Sequence, residues 1–401
     1  MTVPIRHVVC FILVVASAAG CTAPAPAPAP GSASAPGAPQ PVRIGVLLPT
    51  AGVYGQLGPD ILAGMDLYFE EVGATAGGRP IELVSEDEPT DPNAGLEAVR
   101  RLLDQDLDLL TGIVSSAVAY AARDLLVEEE MPTVVSNAGG NELTAARRSP
   151  YIFRTSFTSE QIHAPLGTWV AENIGPRVAI VASDYAFGQE SAAAFRATYE
   201  AAGGQIISET FTPLGSNDFA NAIAAVAGAD VDATFGFLAG SDGVIFVQQY
   251  ASAGLAATKP LTVSGFMVDA DIIDAVGDSA LGAISAMHYA PTLDNPTNQR
   301  FVQAFRAAHA RTPSVYVAQG YDAAQLIVKG IAAAGGSTEP DDLIAGMEAA
   351  VLDSPRGPVR IDAASHQIIQ HMYLREVREV NGALTNVVIA DLGEIGPDPL
   401  P

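Results

Sequence analysis

The sequence predicts an α/β protein of two lobes, each a parallel β-sheet with helices on both faces. Three observations predict it. Strand and helix patterns alternate in two successive series along the chain. Hydrophobic residues make up 49% and charged residues 16%, enough apolar material for sizeable cores. At 401 residues there is room for two domains of ordinary size.

The first series opens with 42–49 (VRIGVLLP), a buried strand, and a Gly-rich loop at 50–58. Ile61, Leu62, Met65, Tyr68, Phe69 and Val72 then recur at helical spacing. Strand 81–85 precedes a helix near 92–105, and strand 109–114 a helix near 117–130. Strand 132–136 ends in the loop NAGGNELT (137–144). The second series starts with helix 160–173 and strand 177–183. Helix 188–202, strand 205–211, a helix near 218–227, strand 232–238 and helix 242–253 follow. Strands 260–265 and 282–289 close it. Helices at 298–310, 315–334 and 341–351 come next, and 357–392 reads as hairpin strands. In such sheets ligands bind beyond the C-terminal strand ends, at helix N-termini. Two facing lobes place two such edges across one cleft, a geometry suited to capture by hinge closure.

The N-terminus speaks to location. Residues 1–21 carry Arg6, an apolar run at 8–16 too short for a permanent span, and Ala18-Ala19-Gly20 before Cys21. This resembles a bacterial lipoprotein signal, in which Cys21 becomes the lipidated first residue. An ordinary secretory signal with an incidental cysteine is the alternative. Residues 22–41, almost wholly Pro, Ala, Gly and Ser, read as an extended tether. The only other cysteine, Cys10, lies in the signal, so the body is expected to hold no disulfide. The expected location is the outer face of the bacterial cytoplasmic membrane, with membrane contact through the lipid anchor only.

Charge and motifs exclude several classes. A net charge of −25 argues against nucleic acid and against anionic lipid surfaces. The six histidines are scattered, with no HExxH or Cys/His cluster, so no metal is expected. His366 and His371 are read as lying in one strand on opposite faces. The loop at 50–58 lacks GxGxxG spacing, and no cofactor is expected. No convergent set of acid, base and nucleophile marks an enzyme.

Across nearly all of 42–390 the chain resembles the extracellular solute-binding proteins of ABC importers, in the leucine/isoleucine/valine-binding branch with the type I periplasmic-binding fold. The resemblance rests on the order and spacing of IGVLLPTAGVYGQLG (44–58), SEDEPTDP (85–92), TGIVSS (111–116) and NAGGNELT. It continues through VAIVASDYAFGQ (178–189), GGQIISETFTPLGSNDF (203–219), QGYDAAQL (319–326) and RGPVRID (356–362). It implies two Rossmann-like lobes joined by a hinge that the chain crosses three times. Lobe one would be 42–158 plus 290–364, and lobe two 159–289 plus 365–395. It also implies capture of a small carboxylate-bearing solute, an amino acid or an aromatic or other small organic acid, without catalysis. The loaded protein would dock on the membrane subunits of an importer. The alternative is a ligand-sensing protein of the same fold acting on a receptor or kinase.

Candidate ligand-binding residues follow. Ser115 and Ser116 stand where a strand meets a helix, where hydroxyls and free N–H groups hold a carboxylate without a cation. The resemblance gives that role to Ser116, and one of the two serines is expected to cap the helix. Asn137, Ala138, Gly139 and Gly140 follow a strand, and glycines there let backbone N–H groups approach a ligand, unless the loop is an ordinary turn. From lobe two, Tyr185 and Phe187 lie in one loop where the resemblance implies an aromatic wall at Phe187, with core packing as the alternative, and Ser241 opens the next helix. Tyr54 caps the pocket from lobe one, and His288 lies at a hinge crossing. Amino-acid binders of this family hold the ammonium with an acid near Gly265-Phe266-Met267. None occurs there, and Asp269 is the nearest. A threonine near Gly140 and an aromatic at Ala239 are missing too. SGFMVDADII (264–273) and MHYAPTLDNP (287–296) look more like members that bind aromatic or other small carboxylic acids.

Overall fold

The computed structural model describes residues 39–397. Cys21 and the tether up to residue 38 lie outside them. The chain enters the first sheet with β1 (Val42–Leu48), whose apolar run is buried on both faces as a central parallel strand requires. Helix α1 (Leu57–Glu71) leads to the short β2 (Thr75–Ala76) and β3 (Arg79–Asp87). Helix α2 (Pro92–Leu103), capped by Asp91, leads to β4 (Leu109–Gly112). Helix α3 (Ser116–Glu128), β5 (Thr133–Val135) and β6 (Ile152–Arg154) complete this half. The strand order is β2-β3-β1-β4-β5-β6, parallel except for the β2–β3 hairpin.

The second half runs α4 (Ser159–Asn173), β7 (Arg177–Ser183), α5 (Ala186–Ala201), β8 (Gln205–Thr212), α6 (Ala220–Gly228) and β9 (Ala233–Phe237). It continues with α7 (Ser241–Ser252), β10 (Leu261–Ser264), the short α8 (Ile273–Val276) and β11 (Ile284–Met287). The chain then returns to pack α9 (Pro296–His309), α10 (Val315–Ala333) and α11 (Pro340–Glu348) on the first lobe, with α10 against α1. It ends in the second sheet with β12 (Val359–Ile361), β13 (Ile368–Val380) and β14 (Ala383–Ile395). That sheet has the order β12-β13-β11-β10-β9-β7-β8, with β14 paired to β13. Strands β7 to β11 are parallel, and β12, β13 and β14 add antiparallel pairings at one edge.

The chain thus passes between lobes three times, after β6, after β11 and before β12. Three details differ from the sequence reading. Strand β6 was not foreseen. Strand β12, within the 290–364 stretch expected in lobe one, hydrogen-bonds to β13 of the second sheet. His366 precedes β13, at φ 57°, stacks on Phe153 and bonds Glu348 at 2.8 Å, while His371 alone lies in the strand.

Buried arginines tie the crossings together. Arg356 reaches Asp322, Gln370 and the carbonyls of Thr155 and Ser156. Arg375 bonds Asp269 and the carbonyls of Tyr289 and Gly265. A buried cation is costly unless it is paired and hydrogen-bonded, and each of these two has a buried carboxylate partner and backbone carbonyls.

Candidate functional site

Strands β4 and β5 end side by side, and their following loops form one wall of a cavity between the lobes. Ser136 N–H donates to the Gly112 carbonyl and Ala138 N–H to that of Ile113, each at 2.9 Å, so the 136–140 loop lies along the start of α3. The Ser115 hydroxyl caps α3 by accepting from Val118 N–H. The Ser115 and Val114 N–H groups donate to Glu88 at 2.7 Å. Burial pushes the Glu88 carboxyl up to about 8, against the pull of those two N–H groups. The N–H groups of Ser116 and Ala117 have no hydrogen-bond partner among the described residues, as expected of a helix first turn. Ser116 itself lines the cavity.

The cavity comprises about 360 Å³ of space between atoms, part of it open to solvent. Lobe one contributes Tyr54, Leu57, Val114, Ser116, Asn137 and Gly139, with Phe157 at the crossing and Tyr316 from α10. Lobe two contributes Tyr185, Phe187, Phe237 and Phe266, with Ala239 and Gly240. The rings pack edge to face or tilted: Phe187–Phe237 centroids are 5.0 Å apart, Phe157–Phe187 5.6 Å and Phe157–Phe266 4.9 Å. Gly139 is small by necessity, because a Cβ there would sit 2.2 Å from the Phe157 ring and 2.6 Å from that of Phe187. Among the described residues, no carboxylate and no cation lines this cavity.

The lobes touch around it. Tyr54 and Tyr185 face one another with centroids 6.4 Å apart. The Tyr54 hydroxyl is buried and has no hydrogen-bond partner of normal geometry among the described residues. Burial, then the neighbouring Tyr185, holds its pKa well above the usual value, so it remains a neutral donor. Gly240, at φ 50°, brings its Cα against the Val53 carbonyl of lobe one. A Cβ there would meet that oxygen at 2.0 Å. Beside the cavity, Tyr120 of α3 donates to Glu190 of α5 at 2.6 Å, and Asn141 N–H to the same carboxylate at 2.8 Å.

A family model described as periplasmic binding protein matches residues 41–383. The chain belongs to the periplasmic binding protein family. It is a solute-binding protein of the ABC-importer kind with the two-lobed type I fold. The Leu/Ile/Val-binding protein homolog 6 of Brucella melitensis is 31% identical over 349 residues, covering 85% of this chain and 88% of that protein. A solute-binding protein of an ABC transporter from R. palustris, solved in complex with benzoate, is 33% identical with a TM-score of 0.85. The match covers 90% of this chain and 99% of that one. Another from R. palustris, solved with 4-hydroxybenzoate, is 34% identical with a TM-score of 0.83, covering 88% and 97%.

Set against this family's cleft, the expected residues separate. Tyr54, Ser116, Gly139, Tyr185 and Phe187 line the cavity. Ser115 is spent on capping. Ala138 is buried behind the wall, its carbonyl accepting from Arg154. The side of Gly140 that a Cβ would occupy is filled by the Tyr120 ring and hydroxyl, not by the cavity. Ser241 faces a neighbouring apolar pocket open to solvent, which shares Leu57 and Gly240 with the first. His288 is fully buried behind Phe157, ring centroids 5.5 Å apart, and does not reach the cavity. Asp269, the nearest acid in the sequence, is buried, paired with Arg375 at 2.8 Å and accepting from Val315 N–H.

Phe157, Phe237, Phe266 and Tyr316 were not foreseen as lining residues. Each lies at or just after a strand end or starts a helix, and in sequence each reads as ordinary core. Asn137 belongs to the loop singled out in the sequence, but no role was given to its side chain. Arg154 was missed too. It is buried at the end of β6, bonds Gln367 at 2.6 Å and reaches the carbonyls of Ala138 and Gly140, which fixes the cavity loop. Burial lowers its pKa to about 10, so it stays charged at neutral pH.

Proposed function

We propose that the protein is an exported, lipid-anchored capture subunit for an aromatic monocarboxylate of the benzoate class, which it delivers to an importer's membrane subunits. The carrying observation is the cavity's composition: seven aromatic rings from both lobes, one serine at a helix N-terminus, and no lining acid. The rings suit a flat apolar body. Ser116 and the free N–H groups of α3 suit a carboxylate held without a countercharge. An α-ammonium would stay unpaired, at high cost, because Asp269 is already committed to Arg375. The proteins of R. palustris solved with benzoate and 4-hydroxybenzoate support this reading. Closure of the first lobe on the second would bury the solute, and no bond is made or broken. Lipidation would occur at Cys21, after the signal at 1–21, with 22–41 as tether.

The test is calorimetric titration of the purified protein with benzoate, 4-hydroxybenzoate, leucine, valine and phenylalanine. Binding of the aromatic acids at least about a hundredfold tighter than of the amino acids is expected. Preference for leucine or valine overturns the reading. Loss of labelled fatty-acid incorporation in Cys21→Ala checks the anchor.

A further inference from the structure

A chain of three buried polar side chains runs from the cavity wall into the hinge. Asn137 lines the cavity. Its Nδ2 lies 2.7 Å from Gln319 Oε1, and Gln319 Nε2 lies 3.1 Å from His288 Nε2. Gln319 and His288 are fully buried. His288 is held neutral, first by burial and then by the charges of Arg356 and Arg375, so its ring carries a single N–H. Its Nδ1 is buried with no partner among the described residues.

The same heavy-atom positions accept two directions of donation, since both amides can turn over. In one, Asn137 donates to Gln319 and Gln319 to His288 Nε2. The histidine proton then sits on Nδ1 as an orphaned N–H, in the positive field of Arg356 and Arg375. In the other, His288 Nε2–H donates to Gln319, and the Gln319 amide donates to Asn137 Oδ1. What remains at Nδ1 is a lone pair, which the positive field of Arg356 and Arg375 favours. A buried orphan donor costs more than an under-used acceptor, so the second direction is the stable one.

We propose that His288 in its Nε2–H form, acting through Gln319, holds Asn137 with its NH2 group toward the cavity, where it is a second uncharged donor for the solute carboxylate beside Ser116. This assignment rests on the proposed function for its ligand, but the histidine tautomer does not. Asn137 contacts the solute; Gln319 and His288 are positioning residues. The arrangement also selects. It presents a donor where an amino acid would need an acceptor for its ammonium, and so discriminates a plain carboxylate from an α-amino acid.

Two measurements decide it. Long-range ¹H–¹⁵N spectra of the ¹⁵N-histidine-labelled full chain, with His288 identified by its loss in His288→Gln, should show Nε2 protonated and Nδ1 bare. The second is the ratio of benzoate to phenylalanine affinity in Gln319→Glu. A carboxylate at 319 only accepts when ionised, so it turns the Asn137 NH2 inward and leaves its oxygen to the cavity. The ratio should fall by about tenfold or more. A general loss of packing would lower both affinities and leave the ratio unchanged. A proton on Nδ1 in the wild-type chain, or an unchanged ratio in the variant, overturns the proposal. Should the wild-type chain bind no aromatic acid, the proposed function falls, and the tautomer still decides this one.

Discussion

The hydroxyl of Tyr120, on lobe one, donates to Glu190, on lobe two, at 2.6 Å. Asn141 N–H donates to the other oxygen of the same carboxylate. Glu190 therefore joins two points of lobe one to α5 of lobe two at the rim of the cleft, without touching the cavity. Removing the Tyr120 hydroxyl should weaken the closed state, while inside lobe one it gives up only the contact it accepts from Glu142 N–H at 3.2 Å. Tyr120→Phe is expected to cost about 1 kcal/mol, or about fivefold in solute affinity. Stopped-flow traces should place the change mainly in the dissociation rate.

Gly139→Ala tests how closely the cavity is packed. The added methyl meets the Phe157 and Phe187 rings and must move one of them. Overpacking of this kind costs about 1–3 kcal/mol, and here it falls on the binding surface. We expect at least about tenfold weaker binding of benzoate by calorimetry, with the cooperative unfolding transition retained.

Asp269 and Arg375 are each fully buried, and each leaves the other uncompensated if removed. Asp269→Ala should destabilise the fold by about 3–5 kcal/mol in denaturant titration. A smaller loss of stability together with a gain of leucine binding would show that Asp269 serves ligands instead.

The pH dependence of stability has a definite sign. The folded protein raises the Glu88 carboxyl from 4.5 to about 8, so it holds that proton more tightly than the unfolded chain does. This contribution is full below about 4.5, falls as the pH rises, and is gone above about 8. Burial raises the Asp271 and Asp322 carboxyls too, with the same sign. The urea midpoint should therefore be lower at about pH 8.5 than at about pH 5, and Glu88→Gln should shrink that difference.

Much of this was legible along the chain. The strands came from apolar runs four to eight residues long and the helices from 3.6-residue spacing, and both signals are local. Ser116 was legible as one of two hydroxyls at a strand-to-helix junction, with the resemblance singling it out, and the structure gives the capping to Ser115. β6 was not legible, since Ile152–Arg154 is too short to show a period. The aromatic wall was only half legible. Ala239 was read as a lost aromatic, yet Phe237 and Phe266 supply rings at the cavity from either side of it. Which rings converge there depends on how two sheets face one another, and no local pattern carries that.

The lack of a countercharge in the cavity has a consequence for speed. The chain carries a net charge of −25, so an anionic solute approaches a surface that repels it, into a seat that offers only neutral donors. Added salt screens the repulsion on the way in, with a reach of about 8 Å at physiological ionic strength, and finds no ion pair inside to weaken. Capture of an aromatic acid should therefore quicken with salt while its release holds steady, the reverse of the behaviour of a receptor that draws anions in with lysine and arginine.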